Sequence, residues 1–228
     1  NRPYYFWDGR AGTLEEQALM PIQNPDEMGL PIEEAVLRLN KSREYRLLFQ
    51  KIFGQKPTAQ NLAAAFSAFE QTLETVDSKF DDWSNDLKKL TAREERGRQL
   101  FLGDKAKCFD CHRMEDFTTD EFKNIGLYNG KELPDAGLFN LTKKEADLGK
   151  FKTPGLRNVA VTAPYMHNGM FKTLEEVLDY YNDPRKFVTD PLNIDETLKE
   201  PLGLTDREKQ DIIIFLRTLT DKKYLKSR

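Results

Sequence analysis

The chain has 228 residues, of which 39% are hydrophobic and 32% are charged, and its formal net charge is −3. This length is enough for one large domain or two small domains with a buried core. The mild negative charge has the wrong sign for a nucleic-acid-binding protein, so we expect no nucleic-acid partner. No apolar run approaches the roughly 20 residues that a membrane-spanning helix needs, so no transmembrane segment is predicted.

Helical patterns dominate the sequence. The first predicted helices, in chain order, cover residues 31–40, 42–53 and 58–76. In the third, a spacing of three and four positions places five apolar residues on one face: Leu62, Phe66, Phe69, Leu73 and Val76. Three later helices begin at capping boxes, at Thr91–Glu94, Thr173–Glu176 and Thr205–Glu208. No segment alternates apolar and polar residues as a strand would, so the fold class is mainly α.

The polar stretch from Asp77 to Leu90 closes one helical block before the next begins. We therefore predict two domains, residues 1–88 and residues 89–228. Residues 113–160 differ from the rest of the chain because they are rich in loops, with glycine at 126, 130, 137, 149 and 155. A long irregular segment inside a compact domain needs a reason, and wrapping around a cofactor is one.

Both cysteines of the chain and one of its two histidines lie within five residues, as Cys108, Cys111 and His112. Two thiols three positions apart can each add to a vinyl group of haem, and the adjacent imidazole then ligates the iron. A zinc site needs four ligands, and only His167 is left to add. A thioredoxin-like pair needs a βαβ context, which this helical sequence does not offer. The segment therefore predicts one covalently bound haem c with His112 as a ligand.

The residues alone leave the second iron ligand open among Met114, Met166, His167, Met170 and Tyr181. Met114 is too close to His112 in sequence to reach the opposite side of the haem easily. The next three candidates share one turn-rich loop that could cover a haem. Tyr181 lies on a helical stripe with Leu174, Val177 and Leu178. That pattern favours a packed aromatic with a hydrogen-bonded hydroxyl, with iron ligation as the alternative.

Two further segments are long and specific. Residues 6–29 read FWDGRAGTLEEQALMPIQNPDEMG, and residues 151–169 read FKTPGLRNVAVTAPYMHNG. Together with the helix that begins at Thr173, they resemble the bacterial di-haem cytochrome c peroxidase family, which includes the methylamine-utilisation enzyme MauG. The resemblance covers nearly the whole chain. It implies two cytochrome c-like helical domains with long haem-wrapping loops and one haem in each domain.

The resemblance also implies a role for each site residue. The haem on Cys108, Cys111 and His112 would relay electrons, and the haem of the N-terminal domain would react with hydrogen peroxide. Glu27 would be the carboxylate that moves a proton as the O–O bond breaks. The peroxide pocket would be lined by Gln17 and Phe6, and an electron relay between the haems would be Trp7. Without the resemblance, a surface acid and a core indole are the ordinary interpretations of Glu27 and Trp7.

The sequence departs from the family pattern at two points. The first haem-binding motif is missing, so a second haem is expected on a segment that would precede Asn1. The methionine that caps the C-terminal haem in the peroxidases is replaced by Tyr181, as in MauG. Tyr181 is therefore the expected ligand, and Met166 and Met170 are the fallback. An interdomain calcium ion would take the carbonyls of two residues, Thr162 and Pro164.

The expected function is the reduction of hydrogen peroxide to water, with electrons from a small c-type cytochrome or a cupredoxin. One alternative is a MauG-like enzyme that oxidises a protein or an organic substrate. The other is a mono-haem electron-transfer protein, although the Glu27 and Gln17 pair argues against it because an electron carrier needs no proton-delivering pocket. The resemblance further implies a periplasmic location, where haem is attached covalently, and a homodimer.

Overall fold

A computed structural model of the protein describes residues 2–113 and 115–225. Eleven α-helices occur among these residues: α1 Leu14–Gln23, α2 Ile32–Lys41, α3 Arg43–Phe53, α4 Ala59–Glu70, α5 Lys79–Ser84, α6 Ala92–Leu102, α7 Cys108–Cys111, α8 Phe139–Thr142, α9 Leu174–Asn182, α10 Asp206–Arg217 and α11 Lys222–Leu225. Four 3-10 turns lie at Glu145–Asp147, Val159–Val161, Pro184–Lys186 and Glu196–Leu198. The described strands are β1 Phe122–Lys123 and β2 Phe151–Lys152, which pair antiparallel with Phe122 opposite Lys152. The mainly α class is confirmed.

The chain divides into two compact units, residues 1–74 and residues 75–228, which we call the N-terminal and the C-terminal unit. The sequence assigned residues 75–88 to the first domain. In the structure this segment packs within the C-terminal unit, where the ring of Phe80 contacts Phe117 and Phe215 edge-on. The division of haem domains at residues 88 and 89 stays a prediction.

In the N-terminal unit, helices α1 to α4 bury a small apolar cluster of Ile22, Ile32, Phe49 and Leu62. Helices α2 and α3 match the predicted helices at 31–40 and 42–53. Helix α1 was not predicted, although Thr13 and Glu16 repeat the cap signal used elsewhere, and the Thr13 side chain does accept from the Glu16 N–H.

The predicted face of the third helix is largely wrong. Helix α4 ends at Glu70, and Phe66 and Phe69 are exposed, the latter to 62%. The helix instead packs against α1, and its buried residues are Asn61, Leu62, Ala63 and Ser67. The small side chains of Ala63 and Ser67 allow two helices to pack closely. The face that α4 buries is therefore not its most apolar face.

The C-terminal unit is organised by the crossing of α6 and α10, which contact each other more extensively than any other pair of described helices. At the crossing, Gly97 lies so close to the partner helix that an added Cβ would be 1.9 Å from the Asp211 carbonyl oxygen. The Asp211 carboxylate accepts from Arg93 at 2.7 Å and from Arg96 at 3.0 Å, so ion pairs join the same two helices. All three predicted capping boxes are present, at the starts of α6, α9 and α10.

Residues 113–160 are loop-rich, as predicted, and are fixed by side chains that bond to distant backbone. The buried amide of Asn124 donates to the carbonyls of Leu148 and Leu192 and accepts from the Gly126 N–H at 2.8 Å. Gly149 has a φ of +69°, and an added Cβ there would be 2.5 Å from Tyr128 Cβ. These contacts join separate parts of the segment to one another and to Leu192, although the segment contains only short helices and strands.

We expect Gly97→Ala to destabilise the C-terminal unit by about 3 kcal/mol, because the new methyl group overlaps a helix backbone that cannot move aside. The gain in helix propensity, about 1 kcal/mol, is too small to compensate. Gly12→Ala is the matched control, since its Cβ would lie at an ordinary 3.6 Å from Glu16. Urea unfolding of both variants measures the difference, and equal midpoints would contradict the assigned crossing.

Candidate functional site

The two cysteines and His112 are placed by a single helical turn. Lys107, with a φ of +53°, begins α7, and the His112 N–H donates to the Cys108 carbonyl at 2.9 Å. Residues three apart on a helix lie on one side of it, so Cys108 and Cys111 share a face. Both cysteines are free thiols and are half-buried.

The thiols are strongly protonated in this environment. Burial raises the pKa of the Cys108 thiol to about 12, and its Sγ donates to the Ala106 carbonyl at 3.5 Å. Burial also raises the pKa of Cys111, although the nearby Lys123 ammonium acts to lower it. A redox or nucleophilic cysteine needs a lowered pKa, so the pair is unsuited to thioredoxin-like chemistry.

His112 is held as a neutral imidazole between two backbone carbonyls. Its Nδ1 lies 2.9 Å from the Phe117 carbonyl, to which it can only donate, and the Pro154 carbonyl also interacts with the ring. Burial lowers the pKa of the imidazole, although both carbonyls work in the opposite direction. A neutral imidazole whose Nδ1 donates to a carbonyl presents Nε2 to a metal.

Tyr181 lies within electrostatic range of both cysteine thiols. Burial raises the pKa of its phenol, and the thiols of Cys111 and Cys108 raise it further. The structure thus places Tyr181, the ligand expected from the family resemblance, in the same region as Cys108 and Cys111, which the motif itself predicted.

Helix α9 has two adjacent tyrosines, and the one with a buried, hydrogen-bonded hydroxyl is Tyr180 rather than Tyr181. Tyr180 is fully buried, and its hydroxyl donates to the Ile125 carbonyl at 2.6 Å. The predicted stripe on α9 placed Tyr181 in that role, whereas Tyr181 is only half-buried, with its ring 5.8 Å from the Tyr180 ring. The sequence did carry a signal for this difference, because Tyr180 and Tyr181 are adjacent and adjacent residues of a helix face different directions.

The loop of residues 162–170 carries the remaining ligand candidates. Met166 is half-buried in the cluster that also contacts Tyr181, and it has a φ of +68°, whereas Met170 is exposed. His167 stacks on Phe151 with ring centroids 3.6 Å apart. Met114 lies outside the described residues.

The proposed calcium carbonyls belong to Thr162 and Pro164, which are both exposed. Within residues 2–113 and 115–225, no group of three or more His, Cys, Asp or Glu side chains could hold a metal ion. Backbone carbonyls are a different kind of ligand, so the calcium site stays a prediction.

The predicted peroxide-site residues lie in the N-terminal unit. Phe6 is covered by the Arg10 guanidinium at 3.6 Å, and Trp7 is 41% exposed. Gln17 is half-buried on α1, whereas Glu27 is exposed on the turn that follows α1 and accepts from the Asn24 amide at 2.9 Å. The described part of this unit leaves Glu27 exposed rather than enclosed by apolar side chains, so its role as the proton donor stays a prediction.

The donor set in the C-terminal unit fits a c-type haem. Two thiols share one side of a helical turn, a neutral imidazole follows them directly, and a phenol lies within electrostatic range of both sulfurs. Paired thiols are the covalent anchors that a c-type haem takes, and imidazole and phenolate are ligands that haem iron accepts. The arrangement fits the site of a c-type cytochrome on a helical scaffold.

Comparison with known proteins gives the same class. The family model described as di-haem cytochrome c peroxidase matches residues 1–89. The methylamine utilization protein MauG of Methylorubrum extorquens is 38% identical over 219 residues, which cover 93% of this chain and 60% of that protein. The cytochrome c551 peroxidase of Nitrosomonas europaea is 36% identical over 219 residues, which cover 94% of this chain and 61% of that protein.

A solved structure of a MauG-like protein associated with microbial copper homeostasis superposes with a TM-score of 0.86. It is 33% identical to this chain, and the match covers 99% of this chain and 74% of that one. The chain belongs to the di-haem cytochrome c peroxidase and MauG family. It spans about 60% of the length of the MauG protein of Methylorubrum extorquens and of the cytochrome c551 peroxidase of Nitrosomonas europaea.

We expect Tyr181→Phe to change the absorption and electron paramagnetic resonance spectra of the haem on Cys108 and Cys111, because a phenyl ring cannot ligate iron. Tyr180→Phe is the matched control on the same helix. It removes a hydroxyl whose partner is the Ile125 carbonyl, so it should cost about 1 kcal/mol of stability and leave both spectra unchanged. An unaltered spectrum in Tyr181→Phe would remove Tyr181 from the iron.

Proposed function

We propose that the protein acts in a di-haem enzyme that reduces hydrogen peroxide to water, with electrons from a small c-type cytochrome or a cupredoxin. The observation that carries the proposal is the placement of Cys108, Cys111 and His112 at one helical turn, with Tyr181 within electrostatic range of both thiols, in a chain of this family. The relatives named cytochrome c peroxidase support peroxide as the substrate. The second haem is proposed to lie on a further segment of the same protein, N-terminal to Asn1.

Within this proposal, the C-terminal unit holds and orients the electron-transfer haem. Haem c supplies one-electron chemistry at iron when it is bound. Cys108 and Cys111 would fix its position covalently, and His112 would present Nε2 to the iron while its Nδ1–H donates to the Phe117 carbonyl. Tyr181 would supply its phenol oxygen as the second ligand.

The N-terminal unit is proposed to handle the proton that peroxide reduction requires. The overall change is H2O2 + 2 e− + 2 H+ → 2 H2O, and breaking the O–O bond needs a proton on the departing oxygen. Glu27 is the proposed acid, with its carboxyl group oriented by the Asn24 amide. Gln17 and Phe6 are proposed to line the same pocket, and Trp7 is the proposed electron relay between the haems.

A MauG-like oxidation of a protein or an organic substrate is the second candidate function. The observation that favours it is the phenol of Tyr181 at a position where the family resemblance places methionine in the peroxidases. A hard anionic ligand stabilises oxidised iron and lowers its reduction potential. Such a site is better suited to holding oxidising equivalents than to accepting electrons. The simplest further alternative is a mono-haem electron carrier.

The setting of the enzyme is also a proposal. We propose a periplasmic location, a homodimer, and a calcium ion on the carbonyls of Thr162 and Pro164, as the family resemblance implies. No helix in the described part of the chain is both long enough and apolar enough to span a bilayer.

The number of haems per polypeptide tests the proposal directly. Intact mass and a pyridine haemochrome assay on the protein as purified should give two haems. One haem would reduce the protein to an electron-transfer unit and overturn the peroxidase proposal. Zero haems, with both thiols still titratable, would refute the C-terminal site as well.

We expect Glu27→Gln to lower peroxide turnover by about 100-fold or more, because the amide cannot deliver a proton while it keeps the oxygen that accepts from Asn24. Steady-state assays with a reduced cytochrome donor measure the loss. Haem spectra should be unchanged.

Asp26→Asn is the control for Glu27→Gln, since it removes an exposed carboxylate from the same turn. Turnover of Asp26→Asn should stay within about twofold of the parent protein, which is the range expected for a group outside the chemistry. If Glu27→Gln keeps the same activity as this control, Glu27 is not the acid.

A further inference from the structure

The side chain of Arg157 joins three segments of the C-terminal unit. Its Nη1 donates to both oxygens of Asp81, at 2.9 and 3.1 Å, and its Nε donates to the Glu115 carbonyl at 3.1 Å. Nε also lies 3.3 Å from the Asp116 carboxylate. The side chains of Arg157 and Asp81 are each only 16% exposed, so this ion pair, in which one guanidinium nitrogen contacts both carboxylate oxygens, is largely desolvated rather than a surface contact.

The anchor of this ion pair is itself fixed. Burial acts to raise the pKa of Asp81, but hydrogen bonds from Ser78 and Arg157 hold it below its usual range. The Ser78 hydroxyl and N–H donate to the Asp81 carboxylate at 2.7 and 2.9 Å, and the Asp81 N–H donates back to the Ser78 hydroxyl at 3.1 Å, which completes the capping box of α5. Arg157 therefore attaches residues 115–116 to a helix start and not to a freely moving side chain.

Two more hydrogen bonds connect the same loops. The Leu156 N–H donates to the Asp116 carbonyl at 3.2 Å, and the buried Thr118 hydroxyl donates to the Thr153 carbonyl at 2.6 Å. Residues 115–118 and residues 153–157 are thus tied together on both sides of Phe117.

These two loops provide the carbonyls that contact His112. One is the Phe117 carbonyl, 2.9 Å from Nδ1, and the other is the Pro154 carbonyl. Phe117 has a φ of +57°, a left-handed conformation that is unfavourable for a bulky residue, so the neighbouring contacts must hold it there. The Arg157 contacts fall on the two residues that precede it.

We propose that Arg157 is a positioning residue for the haem ligand His112, because it fixes the two loops whose carbonyls face the imidazole. The inference rests on the proposed haem site and goes beyond it by naming what sets the strength of this ligand. A carbonyl that accepts from Nδ1–H makes Nε2 more basic and stabilises the oxidised iron. Loosening the loops weakens that hydrogen bond, so the reduction potential rises.

The test compares Arg157→Gln, Arg157→Lys and Arg96→Gln in the haem-loaded protein. Redox titration of Arg157→Gln should show about a tenfold shift of the equilibrium towards reduced iron, which is about 59 mV for a one-electron couple. Arg157→Lys keeps the charge beside Asp81 but loses the guanidinium Nε, so its shift should be smaller and in the same direction. Arg96→Gln removes an ion pair to Asp211 in the same unit and should leave the potential unchanged.

A second readout reports on the loops themselves. The Thr118 N–H donates to the Arg113 carbonyl at 2.8 Å, and the Thr119 N–H donates to the Cys111 carbonyl at 3.1 Å. In Arg157→Lys, hydrogen exchange at both amides should be faster than in the parent protein, and in Arg96→Gln it should be unchanged. This comparison remains decisive if Arg157→Gln does not fold.

The outcomes separate the two proposals. Normal haem attachment with an unchanged potential in both Arg157 variants would overturn the positioning role and leave the haem site intact. A potential that shifts equally in Arg96→Gln would also overturn it, because the effect would then be general destabilisation. Absence of haem from the parent protein would refute the haem site itself.

Discussion

The crossing of α6 and α10 at Gly97 is the constraint on which the C-terminal unit depends. Helix α6 leads through Gly103 into the turn that carries Cys108, and α10 shares its apolar cluster with Leu174 and Leu178 of α9, the helix that carries Tyr181. The same helix pair therefore positions both the turn that carries Cys108 and the helix that carries Tyr181. No side chain fits at position 97, so this contact sets how closely α6 and α10 approach each other.

The sequence predicts the local parts of this arrangement well. Capping boxes depend on residues three positions apart, and the two thiols and the imidazole occupy one helical turn, so neither needs tertiary information. The face of α4 was predicted badly for the converse reason. Periodicity shows which residues share a face, but Phe66 and Phe69 are exposed because the close contact with α1 is made by smaller side chains.

Long-range features of the site were not predictable from one sequence. Tyr180 and Tyr181 are chemically identical neighbours, and only the packed structure shows that Tyr180 is anchored at Ile125 while Tyr181 lies near the thiols. The contacts of Arg157 join residues separated by 76 and by 42 positions. No pattern within a helix or a loop indicates such contacts, although they surround the loop that faces His112.

The two sides of the proposed haem act on its potential in the same direction. Tyr181 would stabilise oxidised iron as a hard anionic ligand, and the Phe117 carbonyl would do so by making His112 more basic. An electron-accepting site needs a higher reduction potential, which a neutral thioether ligand in place of the phenolate would help to maintain. Because Tyr181 and the hydrogen bond to His112 would both lower the reduction potential, their combined effect is relevant to the function that the C-terminal unit would serve. A lower potential would suit the proposed MauG-like function, in which the iron holds oxidising equivalents, better than simple electron acceptance.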